Sequence, residues 1–319
     1  MKYSLQIQQD YVAESVRARY AMIIPILRGM LYAAKREMVE ALGGYEKITF
    51  EQFTRIYVES PGDFGICFEY AVHYSLQNRD PIIHPLISTV LEDFCNIKGG
   101  AESILFGVEK SGAKLIIETA DDMLTNQSRV LGGRPGKPPL LKKRLRDIER
   151  AFRNVVHREK LPQSIRGLWK ADLFLGSPNP DQWVATTLKT NRRDFEGAAG
   201  LRIGLYPEER AGEGPKKDDS TNLIMCPLPY SGEFMQLFGA TFGIAKQLVA
   251  SRAQQPSRVA LIYEDDQTVA KWLSDRRSFA VHDILEALEP LKQPGLLQDN
   301  EVLETDEIIA TAPIPLKNN

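Results

Sequence analysis

The chain has 319 residues, 43% of them hydrophobic, enough to bury a substantial core in one large domain or two smaller ones. Lys plus Arg number 40 against 42 Asp plus Glu, a formal charge of -2, which excludes a globally basic nucleic-acid binder but not a local basic cleft. Three scattered cysteines, Cys67, Cys95 and Cys226, with no CxxC pair, support neither a disulfide framework nor a zinc knuckle.

From Gln9 to about Leu42, Val12, Val16, Tyr20, Ile23, Ile24, Leu27, Leu31 and Ala34 recur at helical spacing, with Pro25 as the expected kink. No apolar run precedes Asp10, Glu14 and Arg17, which argues against a secretory signal, and no stretch approaches the roughly 20 apolar residues of a membrane span. The expectation is a cytoplasmic protein with no membrane partner.

Thr49 followed by Gln52 predicts a capping box at the start of a helix over Ile48–Glu59. Helices are predicted over Ile66–Leu76, where Glu69 and His73 share a face, and over Pro85–Asn96. The run Ser103–Lys110 fits a strand or a helix start. Leu124–Pro139, rich in Gly and Pro, reads as a surface loop, and Leu141–Lys160 as one basic amphipathic helix with the apolar stripe Leu141, Leu145, Ile148, Phe152 and Val156.

Leu168–Leu175 and Trp183–Lys189 read as two strands joined by turn residues Gly176–Pro180. Two more strands, Leu201–Pro207 and Asn222–Pro229, flank a hydrophilic loop. A long helix over Gly232–Ala253, two or three further helices to Leu291, and an acidic, Pro-containing tail expected to be extended complete the pattern.

Within these strands Asp172 and Lys189 are the charges that need a reason, since an unpaired charge in a sheet costs several kcal/mol. Alternation places Thr187 and Lys189 on one face, where Lys189 and Asp172 can converge from neighbouring strands. A carboxylate for a divalent cation, a second acid and a lysine that orients water compose a phosphodiester-hydrolysing site. A buried Asp172–Lys189 ion pair, and a Glu69 held by His73, are the competing structural readings. No phosphate-loop, dinucleotide, serine-elbow or zinc-helix motif is present, and the four histidines lack metal spacing.

This arrangement resembles the PD-(D/E)XK nuclease superfamily over about Gly65 to Phe238. The resemblance implies a restriction-endonuclease-like α/β core, a central mixed sheet of about four to six strands flanked by helices. It implies catalytic Glu69, Asp172 and Lys189, with Mg²⁺ (or Mn²⁺) held by Glu69, Asp172 and the Leu188 carbonyl. Thr187 departs from the family's acidic position, and with His73 is expected to lie behind the metal ligands. Lys142, Lys143, Arg144, Arg192 and Arg193 are expected to contact DNA.

The implied activity is a DNA endonuclease of a prokaryotic restriction or anti-phage defence system, with a homodimer or a defence partner protein as possible company. The alternative is a weak or inactive nuclease-fold subunit that binds nucleic acid or a partner. The expected organisation is a helical region over residues 1–60, the core over 61–253, and helices with a tail over 254–319.

Overall fold

The computed structural model describes residues 12–106, 123–132, 137–196, 200–208, 214–230 and 232–289, and the backbone of two-residue strands at 3–4, 7–8, 309–310 and 314–315. The expectations for residues 107–110, for the middle of the Gly/Pro-rich loop and for most of the tail lie outside these. The chain divides into two compact units, one formed by Ser60–Gly239 and the other by the segments before and after it.

In the unit formed from the chain's ends, α1 (Glu14–Ala33) runs through Pro25, and the break before α2 (Arg36–Ala41) comes at Ala34 and Lys35 rather than at the proline. The Thr49 capping box forms at the start of α3 (Phe50–Ile56): the Gln52 N–H donates to Thr49 Oγ1 at 3.2 Å, and the Thr49 N–H donates to Gln52 Oε1 at 3.0 Å. Near its start, Arg19 of α1 is ion-paired with Asp266 at 2.6 Å.

The second unit carries the sheet. It begins with α4 (Asp63–Gln77) and α5 (Ile83–Cys95), each a few residues from its predicted bounds. The ambiguous run after Ala101 starts as a strand, β1 (Glu102–Leu105). The Gly/Pro-rich loop contributes the short β2 (Arg129–Val130). The single basic helix expected over Leu141–Lys160 is two helices, α6 (Leu141–Arg153) and α7 (Val155–Lys160), divided at Asn154. Asn154 takes an extended conformation and accepts the Val156 N–H on its side chain, so it ends one helix and caps the next.

The two central strands are β3 (Leu173–Ser177) and β4 (Gln182–Leu188), followed by β5 (Arg202–Glu208), β6 (Lys216–Asp218) and β7 (Leu223–Pro229). They form a seven-stranded mixed sheet in the order β1-β3-β4-β5-β7-β6, with β2 parallel to β4. The first three strands of that order are antiparallel neighbours, and β4, β5 and β7 run parallel. The seven strands exceed the expected four to six because two short ones arise in segments read as loops. The outermost strand, β6, is exposed along its whole length. From Glu233 the helix α8 (Glu233–Ala250) leads out of this unit, and α9 (Glu264–Ser274) and α10 (Val281–Leu288) follow in the other.

The register fixes which side chains share a face. Ile104, Phe174, Ala185 and Arg202 lie opposite one another across four strands. Ile104, Phe174, Ala185 and Trp183 pack into one apolar cluster with Leu141, Ile148 and Ala151 of α6. Each large side chain so buried contributes about 1.5–3 kcal/mol. Ser103 points to the other face, where its hydroxyl lies 3.0 Å from His73 Nδ1 on α4. The sheet is therefore covered by α6 on one side and α4 on the other, so β3 is buried at all five positions.

The hairpin tip is fixed by Asp181, whose φ of 59° is left-handed. Its carboxylate accepts from Thr125 Oγ1 at 2.6 Å and Trp183 Nε1 at 3.1 Å, and its carbonyl accepts the Arg129 N–H at 3.0 Å, which ties β2 to the hairpin. Among the described residues no helix is long and apolar enough to cross a membrane.

Candidate functional site at the open end of the hairpin

The chain enters β3 later than its composition suggests. Leu168–Lys170 is a 3-10 turn, not strand, and Asp172 stands one position before β3. The Asp172 N–H donates to Thr186 O at 2.8 Å while Leu173 is the register partner of Thr186, so two residues oppose one and the strand bulges. Asp172 is thus half-buried at a strand end rather than in the middle of a sheet, and its desolvation is milder than the sequence implied. Lys189 occupies the matching place one residue beyond β4 and is also half-buried.

These ends frame a cleft of about 270 Å³ lined by Phe152, Trp169, Lys170, Asp172, Thr187, Lys189, Asp194, Phe195, Glu196 and Arg202. Asp172, Thr187 and Lys189 are brought together as expected. Asp172 Oδ2 accepts the Leu188 N–H at 2.9 Å. A residue in extended strand directs its N–H and C=O to the same side, so the Leu188 carbonyl points toward the edge where that carboxylate lies. Among the described residues Lys189 makes no ion pair, so the pairing of Asp172 with Lys189 as a structural salt bridge is not what holds them. Thr187 Oγ1 donates to the Lys170 carbonyl at 3.3 Å.

Glu69 is half-buried on α4, one turn before His73, and is not part of the cleft lining. Because His73 meets Ser103 on the face away from α6, α4 approaches the sheet from the opposite side to Trp169 and Lys170.

The expected DNA-contacting residues are dispersed. Lys142 donates to the Leu124 carbonyl at 2.9 Å, Arg144 pairs with Asp147 at 3.2 Å, and Lys143 is exposed. All three lie near the start of α6, whereas Phe152, near its end and roughly 15 Å further along, is the residue of α6 that reaches the cleft. Arg192 and Arg193 form an exposed turn, with Arg192 3.8 Å from Glu208. Of that turn it is Asp194 that lines the cleft.

Seven of the ten cleft residues had no site role in the sequence reading, and four of them shape the cleft most directly. Trp169 carries the Arg158 guanidinium at 4.0 Å from its ring, and the same guanidinium donates to the Ala151 and Phe152 carbonyls at the end of α6. Lys170 touches the Glu196 carboxylate, yet partial burial and the neighbouring cations Arg202, Lys189 and Arg158 hold its pKa below the usual lysine value. Phe195 lies over Gly204, where a Cβ would come within 2.8 Å of its ring. Arg202 is only 3% exposed; burial lowers its pKa and the Asp172 charge opposes that shift. Arg202 interrupts an apolar strand just as Asp172 does, and that was the available signal.

Comparison with protein-family models, with curated proteins and with solved structures gave no match. The chemistry must be argued from the cleft. Among the described residues no three His, Cys, Asp or Glu side chains gather as a metal cage. One carboxylate with a converging carbonyl does fit Mg²⁺, which commonly takes one or two carboxylates and completes its shell with water and substrate phosphate.

Proposed function

We propose that the chain is a Mg²⁺-dependent DNA endonuclease whose phosphodiester site is the cleft at the open end of the β3–β4 hairpin. The observation that carries this reading is the placement of Asp172 at the head of β3 and Thr187, Leu188 and Lys189 at the end of β4, with Asp172 fastened to the Leu188 N–H. The Asp172 carboxylate and the Leu188 carbonyl would hold the cation; Mn²⁺ satisfies the same oxygen set. Bound there, the ion supplies Lewis-acid stabilisation of the phosphoryl oxygens. Lys189, with three N–H donors and no ion-pair partner among the described residues, orients the substrate and stabilises charge that builds on the transferred phosphoryl group. Glu69 enters this reading as a proposed further ligand only from the α4 side.

A restriction or anti-phage role follows from the family resemblance, and a second copy would supply the second cut in a duplex. The test is Mg²⁺-dependent plasmid nicking by wild type, Asp172→Ala and Lys189→Ala. Loss of about 10²-fold or more is expected in both variants; equal nicking by Lys189→Ala and wild type would sink the assignment. A Glu69→Gln arm reports separately on the helical acid.

A second reading is favoured by Thr187, whose hydroxyl is turned to the Lys170 carbonyl rather than offered as an acid. In it the chain is a nuclease-fold subunit that binds nucleic acid or a partner protein without cutting. Tight DNA binding without nicking in Mg²⁺ or Mn²⁺ distinguishes it.

A further inference from the structure

We propose that Arg202 is the anion seat of the cleft and takes a backbone phosphate of a nucleic-acid strand next to the one addressed by Asp172 and Lys189. The name of the ligand rests on the phosphodiester reading above, whereas the seat rests on Arg202 itself.

Arg202 is only 3% exposed, and it lies in the row of Ile104, Phe174 and Ala185. Its Nη2 donates to the Gly167 carbonyl at 2.7 Å, which fixes the plane of the guanidinium. Among the described residues its buried Nε has no hydrogen-bond acceptor. A buried guanidinium N–H left without an acceptor is costly, and folded proteins rarely keep one without a reason. Arg202 also lines the cleft, so an anion seated there lies against a guanidinium whose hydrogen-bonding capacity the Gly167 carbonyl meets only in part.

The surroundings select the ligand. Lys170 and Lys189 line the same cleft, so three cations converge on it. Lys170 is presently engaged by Glu196, whose side chain is 71% exposed and is free to swing into water. A phosphate offers several acceptor oxygens to a planar fork and to ammonium donors at once, which a chloride or a single carboxylate does not. A cleft of about 270 Å³ has room for a phosphate and its sugar. Trp169 and Phe152 at its wall offer apolar faces to the sugar or a base.

The test uses the full chain with EDTA, so that binding is read without cleavage. The Arg202 Nε–H nitrogen signal is assigned through its coupling to the Arg202 backbone, then followed while an all-thymidine single-stranded DNA decamer, inorganic phosphate or sodium chloride of equal ionic strength is added. The signal is expected to move with the decamer and not with chloride. Movement with inorganic phosphate as well identifies a seat for any phosphate; movement with the decamer alone identifies a seat for strand backbone. Arg202→Lys, which keeps the charge and loses the fork, is expected to weaken decamer binding about tenfold, a change of 1.4 kcal/mol.

A signal that stays still at saturating decamer, a decamer that does not bind, or Arg202→Lys binding as tightly as wild type overturns the proposal. If Arg202→Lys fails to fold, the wild-type titration alone decides. A moving signal without any Mg²⁺-dependent nicking overturns the nuclease reading and leaves the seat standing; nicking with a still signal does the reverse.

Discussion

Asp181 has a titratable role set apart from the cleft. Partial burial pushes its carboxyl up, but hydrogen bonds from Ser128, Thr125 and Trp183 outweigh that and leave its pKa below the usual aspartate value. A carboxylate whose folded pKa is depressed stabilises the fold above its unfolded pKa of about 3.9 and loses that contribution as pH falls through the folded value. Asp181→Asn is therefore expected to flatten the fall of stability below about pH 4, and Asp181→Ala to cost about 1 kcal/mol at pH 7 through lost hydrogen bonds. Urea unfolding at a series of pH values measures both; parallel curves for wild type and Asp181→Asn would remove the carboxylate from the account. The same scale separates what single residues disclosed. Asp172 and Lys189 stood out because charge in an apolar strand is costly, and they do share a cleft. Arg202 met that criterion and went unread because no motif pointed to it.

Elements were legible where one signal governed them. The capping box of Thr49 and Gln52 and the strand pattern of Trp183–Lys189 translate directly, since each depends on neighbours within a few residues. The helix division at Asn154 and the late start of β3 were not legible. Asn154 competes with the helix through its own side chain, and the turn at Leu168–Lys170 is made by packing of Leu168 into the α6 cluster, a long-range contact invisible to local pattern. The β5 strand shows how an element shapes the cleft: Gly204 leaves room for the Phe195 ring, which meets the Tyr206 ring in a T-shaped contact at 5.7 Å. Gly204→Ala is expected to push the ring aside, cost about 1–3 kcal/mol and weaken oligonucleotide binding. Combining it with Phe195→Ala should recover part of that stability, and a double-mutant cycle in urea measures the coupling; strict additivity would mean that the ring and Gly204 do not interact.

At the scale of the molecule, the sheet, both of its covering helices and the whole candidate site belong to the one contiguous unit Ser60–Gly239. A fragment of residues 60–250, which keeps α8 entire, is expected to fold alone, with far-UV dichroism of both helix and strand and a blue-shifted emission from the fully buried Trp183. A red-shifted emission and no cooperative unfolding would show that the sheet depends on the other unit. The exposed outermost strand also has a meaning for how copies of this chain meet. Lys216 and Lys217 stand on β6 with Asp218, so a neighbouring chain that continued the hydrogen-bond ladder across this border in parallel register would bring ammonium groups against ammonium groups, and in antiparallel register centred on Lys217 would set Lys217 against its own copy. Charge on the edge thus works against growth of the sheet into a ribbon of molecules, and against fibrous precipitation from this side at high concentration during folding.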